Sequence, residues 1–482
     1  MDKSQFETPL LEVLLGYAGS SPSRFHVPGH GGGRGVPPDL AAALGGAVFS
    51  MDVTELPGLD DLNSPTGVIA RAQELASRAF GADRSFFLAN GATLGLQALV
   101  LAVGKPGDKL ILPRNSHRSI IGGLILAGID PVFIAPTVVP GFNFAAGVPT
   151  AAIERALGDH PGACALLCIH PTYYGTVGDT VGVSRLSRAA GVPLLADEAH
   201  GCHLYFHPQY PLGALEAGAD AAVQSMHKTG GSLTQSSILH IKGPFLDGDR
   251  VFAAVKLIQT SSPSYILMAS LDAARRQLAV RGTDLWQEVL EISAEIREWL
   301  SGIRGLEVFG SRFLDGDGVF DYDRSRVVVR VSGTGIRGYQ AAQWLTGHGI
   351  FVEMADRDNI VLALGPGIGR EDCRKLAQVL GDLAVREGKG RALLPAPEIP
   401  SARAVMKLRE AWFAPSRPVR LGDSAGRVCA EWVAAYPPGI PVLIPGEEIT
   451  PAMVNYLGGA REAGAGFQGP DHPALDYIRV LE

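Results

Sequence analysis

From about residue 65 onward, short apolar runs alternate with amphipathic stretches, and this alternation constrains the fold more than any other feature of the chain. PTGVIARAQELASRAF has helical spacing, SFFLAN reads as a strand ending at a glycine turn, and GATLGLQALVLAVG reads as a helix opening directly after it. KLILP, PVFIA, CALLCIH, PLLADEA and DAAVQSM follow as further strands, separated by helical or turn-rich sequence. Strands spaced this way make a mainly parallel sheet covered on both faces, because each parallel crossover needs a helix-length connection. A helix is predicted from near Pro263 through ILMASLDAARRQLAV, and a second in TDLWQEVLEISAEIREWLSGI. The strands LEVFG, RVVVRVSG and FVEMADRDNIVLAL, mixed with helices at GYQAAQWLTGHG and EDCRKLAQVLGDLAVREG, predict a smaller α+β domain. The Pro-rich LLPAPEIPSAR marks a linker, and the remainder predicts a third unit with turn-rich YPPGIPVLIPGEE in its middle. The expected division is an N-terminal arm at 1–30, an α/β large domain at 31–290, a small α+β domain at 291–395 and a C-terminal α+β domain at 396–482.

A chain of 482 residues is too long for one ordinary core, in keeping with that division. Its net charge of −7 argues against a nucleic-acid or anionic-membrane binder, since both need basic surface. Five cysteines, at 164, 168, 202, 373 and 429, show no zinc spacing and read as reduced thiols of a cytoplasmic protein. The N-terminal MDKSQFETPLLEVLLGYAG is interrupted by charges and predicts neither a signal peptide nor a membrane span.

In open parallel sheets, ligands bind beyond the carboxyl ends of the strands. PLLADEAH places Asp197, Glu198 and His200 at such an end, DAAVQSMHK places Ser225, His227 and Lys228, and KLILPRNSH places Asn115, Ser116 and His117. SFFLANGAT adds a turn and a helix start at Gly91, Ala92 and Thr93. A carbonyl cofactor that forms an imine needs a lysine, a carboxylate to keep its pyridine nitrogen protonated, and backbone N–H groups with hydroxyls for its phosphate. Lys228, Asp197 and the trio Thr93, Ser225 and His227 meet those needs, which points to pyridoxal 5′-phosphate (PLP).

The same residues lie in longer motifs. ADEAHGCHLYF followed by QSMHKTGGSLTQSS resembles the fold-type-I PLP enzymes of the Orn/Lys/Arg decarboxylase family. So do RFHVPGHGGGRG, DVTELPGLDDLNSPTG, RNSHRS, QTSSPSYILMASLD and YPPGIPVLIPGE. The matches run from about residue 24 to 448, and the chain resembles the shorter biosynthetic members without an N-terminal wing domain. The resemblance implies an aspartate-aminotransferase-like large domain with Lys228 as the cofactor lysine and Asp197 as the ring-nitrogen partner. It implies His117 stacked on the ring, and His200 near the cofactor's hydroxyl side. Gly91, Ala92, Thr93, Leu94, Ser225 and His227 would surround the phosphate. It implies a homodimer or larger assembly, with residues 261–265 at an interface near the site. Glu431 is the candidate partner of a cationic substrate side chain. One departure is Gly31, which stands where the family's PGHKGG has lysine; Arg34 is nearby in sequence.

The expected reaction is α-decarboxylation of a basic amino acid, with arginine first, giving agmatine for polyamine synthesis, and lysine or ornithine after it. Lys228, His200 or Cys202 could return the proton to Cα. Two rivals are an aminotransferase on the same scaffold, using an arginine such as Arg330, Arg337 or Arg370, and a catalytically silent relative that binds a partner.

Overall fold

Helix Val68–Phe80 buries Ile69, Ala72, Leu75, Ala76 and Phe80 on one face and stops at Gly81. The left-handed backbone of Gly81 (φ 66°) lets its N–H cap the Ser77 carbonyl, so the chain can turn at once into strand Arg84–Leu88. This helix–glycine–strand pattern recurs at helix Arg118–Ala127, which ends on left-handed Gly128 before strand Asp130–Ile134. The computed structural model describes residues 2–20, 22–387, 400–436 and 440–482. Residues 393–399 of the expected linker and 437–439 of YPPGIP lie outside them.

The architecture is α/β, with a mixed and mostly parallel set of strands, in two compact units that each draw on two chain segments. The first unit is Met1–Ala102 with Pro193–Leu285. In it, strands run in the order Arg84–Leu88, Ser237–Ile241, Ala221–Gln224, Leu194–Asp197. The first two pairings are antiparallel and the last is parallel. Ser237–Ile241 was not foreseen: it follows a loop rather than a helix, and antiparallel pairing needs no helical crossover.

The second unit is Val103–Val192 with Trp286–Glu482. It holds a parallel trio, Ala165–Ile169 beside Lys109–Pro113 beside Asp130–Ile134. It also holds an antiparallel sheet in the order Met354–Ala355, Asn359–Ala363, Arg326–Arg330, Glu307–Val308. Toward the C-terminus, Val433–Tyr436 pairs with Ile440–Leu443 and Gly466–Gln468, over a core that includes Val419, Cys429, Met453, Leu457 and Ile478.

The two helices expected after Pro263 are one helix of 37 residues, Tyr265–Ser301. Gly282 does not break it. A Cβ there would lie 2.7 Å from the Phe206 Cβ, so glycine serves the close approach of that side chain. Among the described residues no helix is long and apolar enough to cross a membrane.

Candidate active site

Two adjacent parallel strands of the first unit end in the polar residues. Asp197 closes Leu194–Asp197 in register with Val223 of Ala221–Gln224. One residue past Gln224, the buried Ser225 opens the one-turn helix Met226–Thr229 that carries Lys228. Glu198 donates its N–H to the Val223 carbonyl and accepts from Gly201 N–H with its own, so His200 sits in a turn tied back to the neighbouring strand. That turn brings His200 Nε2 to 2.9 Å from Lys228 Nζ. Asp197 is buried, with Oδ1 accepting from Ala199 N–H at 3.2 Å. His227 is half-buried beside the Ser236 carbonyl, 3.0 Å from its Nδ1, and burial holds its pKa below the ordinary imidazole value.

The same unit supplies a helix start. Gly91 has φ 77° and opens Gly91–Val103, with Ala92 and Leu94 buried and Thr93 exposed. Behind that turn, Gln259 Oε1 accepts from Ala89 N–H (3.3 Å) and Gln235 Nε2 donates to the Ala89 carbonyl (2.8 Å). Among the described residues the Nε2 of buried Gln259 has no hydrogen-bond partner, which adds an unmet donor to the N–H groups that any helix start leaves unsatisfied. A lysine amine, a buried carboxylate on the adjoining strand end and a donor-rich helix start are a set that fits PLP.

The family model described as Orn/Lys/Arg decarboxylase, major domain, matches residues 8–372, and that family's C-terminal domain matches 394–474. The chain belongs to the Orn/Lys/Arg decarboxylase family. The arginine decarboxylase of Bacillus subtilis (strain 168) is 39% identical over 487 residues, covering 99% of both chains. That of Halalkalibacterium halodurans is also 39% identical, covering 99% of this chain and 98% of its own. In fold, the chain is similar to the solved constitutive lysine decarboxylase of E. coli, with a TM-score of 0.85 at 22% identity over 99% of this chain and 82% of that one.

Two of the other expected residues of this decarboxylase belong to the second unit. His117 lies in the second unit, exposed at the N-cap of Arg118–Ala127, with Nδ1 2.9 Å from Ser119 Oγ. Glu431, also in the second unit, is buried, and its two carboxylate oxygens accept from Asp471 N–H and Arg479 N–H, each at 2.8 Å. That is a structural use of the carboxylate, which charge and position in the sequence did not reveal. In the first unit, Gly31 has φ 56°, and the Arg34 guanidinium lies 3.6 Å from where a Cβ would stand, so arginine occupies the space beside this departure from the family pattern. Asp60 accepts from the N–H groups of Asp61, Thr66, Gly67, Ile69 and Ala70, which removes it from the acidic residues open to a substrate. Sequence reasoning passed over Gln259 and Gln235. Their signal was position, since each is a polar residue beside a quoted motif, QTSSPSY or SLTQSS.

Proposed function

We propose that this chain decarboxylates L-arginine to agmatine with PLP held by Lys228. The observation that carries the chemistry is the 2.9 Å approach of Lys228 Nζ and His200 Nε2 beside buried Asp197. For the substrate, identity is 39% to two arginine decarboxylases along nearly the whole chain and 22% to the solved lysine decarboxylase. When bound, PLP supplies a carbonyl for the substrate amine and a protonated ring that accepts the electrons of the breaking Cα–carboxylate bond.

The protein's own groups do the rest. Lys228 Nζ would hold the cofactor and would take its place back from the product amine. His200 Nε2 and Lys228 Nζ share a hydrogen bond of 2.9 Å, in which one of the two donates to the other, so His200 orients the amine. Asp197 keeps a proton on the ring nitrogen. The N–H groups at Gly91, Ala92, Thr93 and Leu94 would hold the phosphate, with Ser225 and His227 as further candidates. Glu431 serves the fold in this reading, with each of its oxygens accepting a backbone N–H within its own unit.

The domain reading is retained: an arm at 1–30, a PLP-binding large domain at 31–290, a small domain at 291–395 and a C-terminal domain at 396–482. The working form is a homodimer or larger assembly. Support comes from apolar side chains open to solvent beside the PGH segment, with Phe25 100% exposed and Val27 65% exposed. Free cysteines suit a cytoplasmic enzyme. The test is a panel of arginine, lysine and ornithine scored for both carbon dioxide and amine. Agmatine and carbon dioxide in equal amounts from arginine are expected, and keto acid without carbon dioxide would turn the reading to an aminotransferase.

A further inference from the structure

Behind Asp197, on strands and a helix of the first unit, runs a buried chain of polar side chains. Glu198 Oε2 accepts from Gln224 Nε2 and from the Tyr205 hydroxyl, both at 2.8 Å, and Oε1 accepts from Ala214 N–H at 2.6 Å. With its amide N–H on Glu198, Gln224 turns its carbonyl to His240 Nε2 at 3.1 Å. His240 therefore carries its proton on Nε2 and accepts at Nδ1 from the Ser85 hydroxyl, 2.7 Å away, and Ser77 Oγ lies 2.9 Å further on. Burial keeps the imidazole neutral by pushing its pKa down to about 3. From Ser85 through His240 and Gln224 the donors point toward Glu198, while the Ser77 hydroxyl is shared between Ser85 Oγ and the Gln73 carbonyl. Phe80 seals the row, 4.6 Å from the His240 ring and edge-on to Tyr205.

A fully buried carboxylate held by neutral donors is costly, and a neutral residue of the same shape would stabilise the fold more. This one is next in the chain to Asp197 and begins the turn that holds His200, closed by the Gly201 N–H bond to the Glu198 carbonyl. We propose that Glu198 is a positioning residue for the Lys228 site: anchored through Tyr205, Ala214 and Gln224, it fixes the turn that presents Asp197 and His200. The inference rests on the reading that Lys228 holds the cofactor. Successive residues of an extended chain point to opposite faces, so an anchor on one face sets what its neighbour presents on the other.

Burial pushes the Glu198 carboxyl up to about 8, against the pull of its three donors. As pH falls through that value the anchor takes up a proton, and the oxygen that carries it is a weaker acceptor for Ala214 N–H on one side or for Tyr205 and Gln224 on the other. The ionisable groups around it are Asp197, Cys202, Tyr205, Glu216 and His240.

The experiment compares wild type, E198Q and Y205F as holoenzymes. It measures the visible absorbance of the bound cofactor against pH, steady-state kinetics with arginine, and borohydride labelling. E198Q should displace the absorbance curve by about half a pH unit or more. It should also lower kcat about tenfold with KM within about threefold. Y205F, which removes one donor and keeps the carboxylate, should move both in the same direction by a smaller step. If E198Q does not fold, Y205F decides alone. Absorbance curves that superimpose on wild type, with kcat within about twofold and Lys228 still labelled, would overturn the positioning role alone. Labelling of another lysine in wild type would overturn the underlying reading instead.

Discussion

Asp197, within a family motif, and Glu431, just ahead of another, are both buried acids, and the chain uses them in opposite ways. Asp197 ends a parallel strand and has one short-range backbone bond, to Ala199 N–H at 3.2 Å. Glu431 accepts two backbone N–H groups from residues 40 and 48 positions away. Glu447, sixteen residues further along, is likewise occupied, holding Arg114 at 2.5 and 2.8 Å and Ile444 N–H at 3.0 Å. A carboxylate at a strand end keeps its acceptor capacity for a ligand; one that stitches distant segments together has given it to the fold. Charge alone does not separate the two cases, but the destination of the hydrogen bonds does.

The hardest test of the strand-end side of this contrast is K228A. Turnover should vanish, and borohydride should fix no cofactor, because only an unprotonated amine at that position can form the imine. Retained turnover, or labelling of a different lysine in wild type, would remove Lys228 from the chemistry. D197N comes next. The amide cannot keep the ring nitrogen protonated, so kcat should fall about a hundredfold or more while cofactor affinity changes less. Near wild-type turnover in D197N would make Asp197 a turn former like any other strand-end aspartate.

The strand-end residues were legible because their placement follows from local rules. A short apolar run bounded by turn residues favours a strand, and the polar residues after it then follow its carboxyl end, Asp197 as the last strand residue and Lys228 in the helical turn just beyond. Two kinds of feature were not legible. The strand Ser237–Ile241 and the unbroken Tyr265–Ser301 helix depend on tertiary neighbours, antiparallel partners in one case and Phe206 against Gly282 in the other. The row from Glu198 to Ser77 joins residues up to 163 positions apart, from Ser77 to His240, through bonds that no periodicity encodes.

The smallest kinetic effect is expected at the other pole of the comparison, in E431Q. If the carboxylate serves the fold, KM for arginine should stay within about twofold of wild type, and stability should respond instead. A glutamine has one acceptor oxygen for the two N–H groups that Glu431 holds, so its amide cannot accept both on separate oxygens. The pH dependence gives the sign. Burial raises the Glu431 pKa above its ordinary value of 4.5, with the Arg479 and Asp471 N–H groups pulling the other way. A carboxyl whose folded pKa is raised contributes stability that is full below its unfolded pKa and is lost as pH rises through the folded value. Wild type should therefore exceed E431Q in Tm most in acid, and the gap should narrow as pH rises from 4.5, since glutamine does not titrate. Thermal scans of both proteins from acid to neutral pH measure this directly. A gap independent of pH, together with a tenfold or larger rise in KM (about 1.4 kcal/mol of lost binding), would return Glu431 to the substrate and erase the contrast with Asp197.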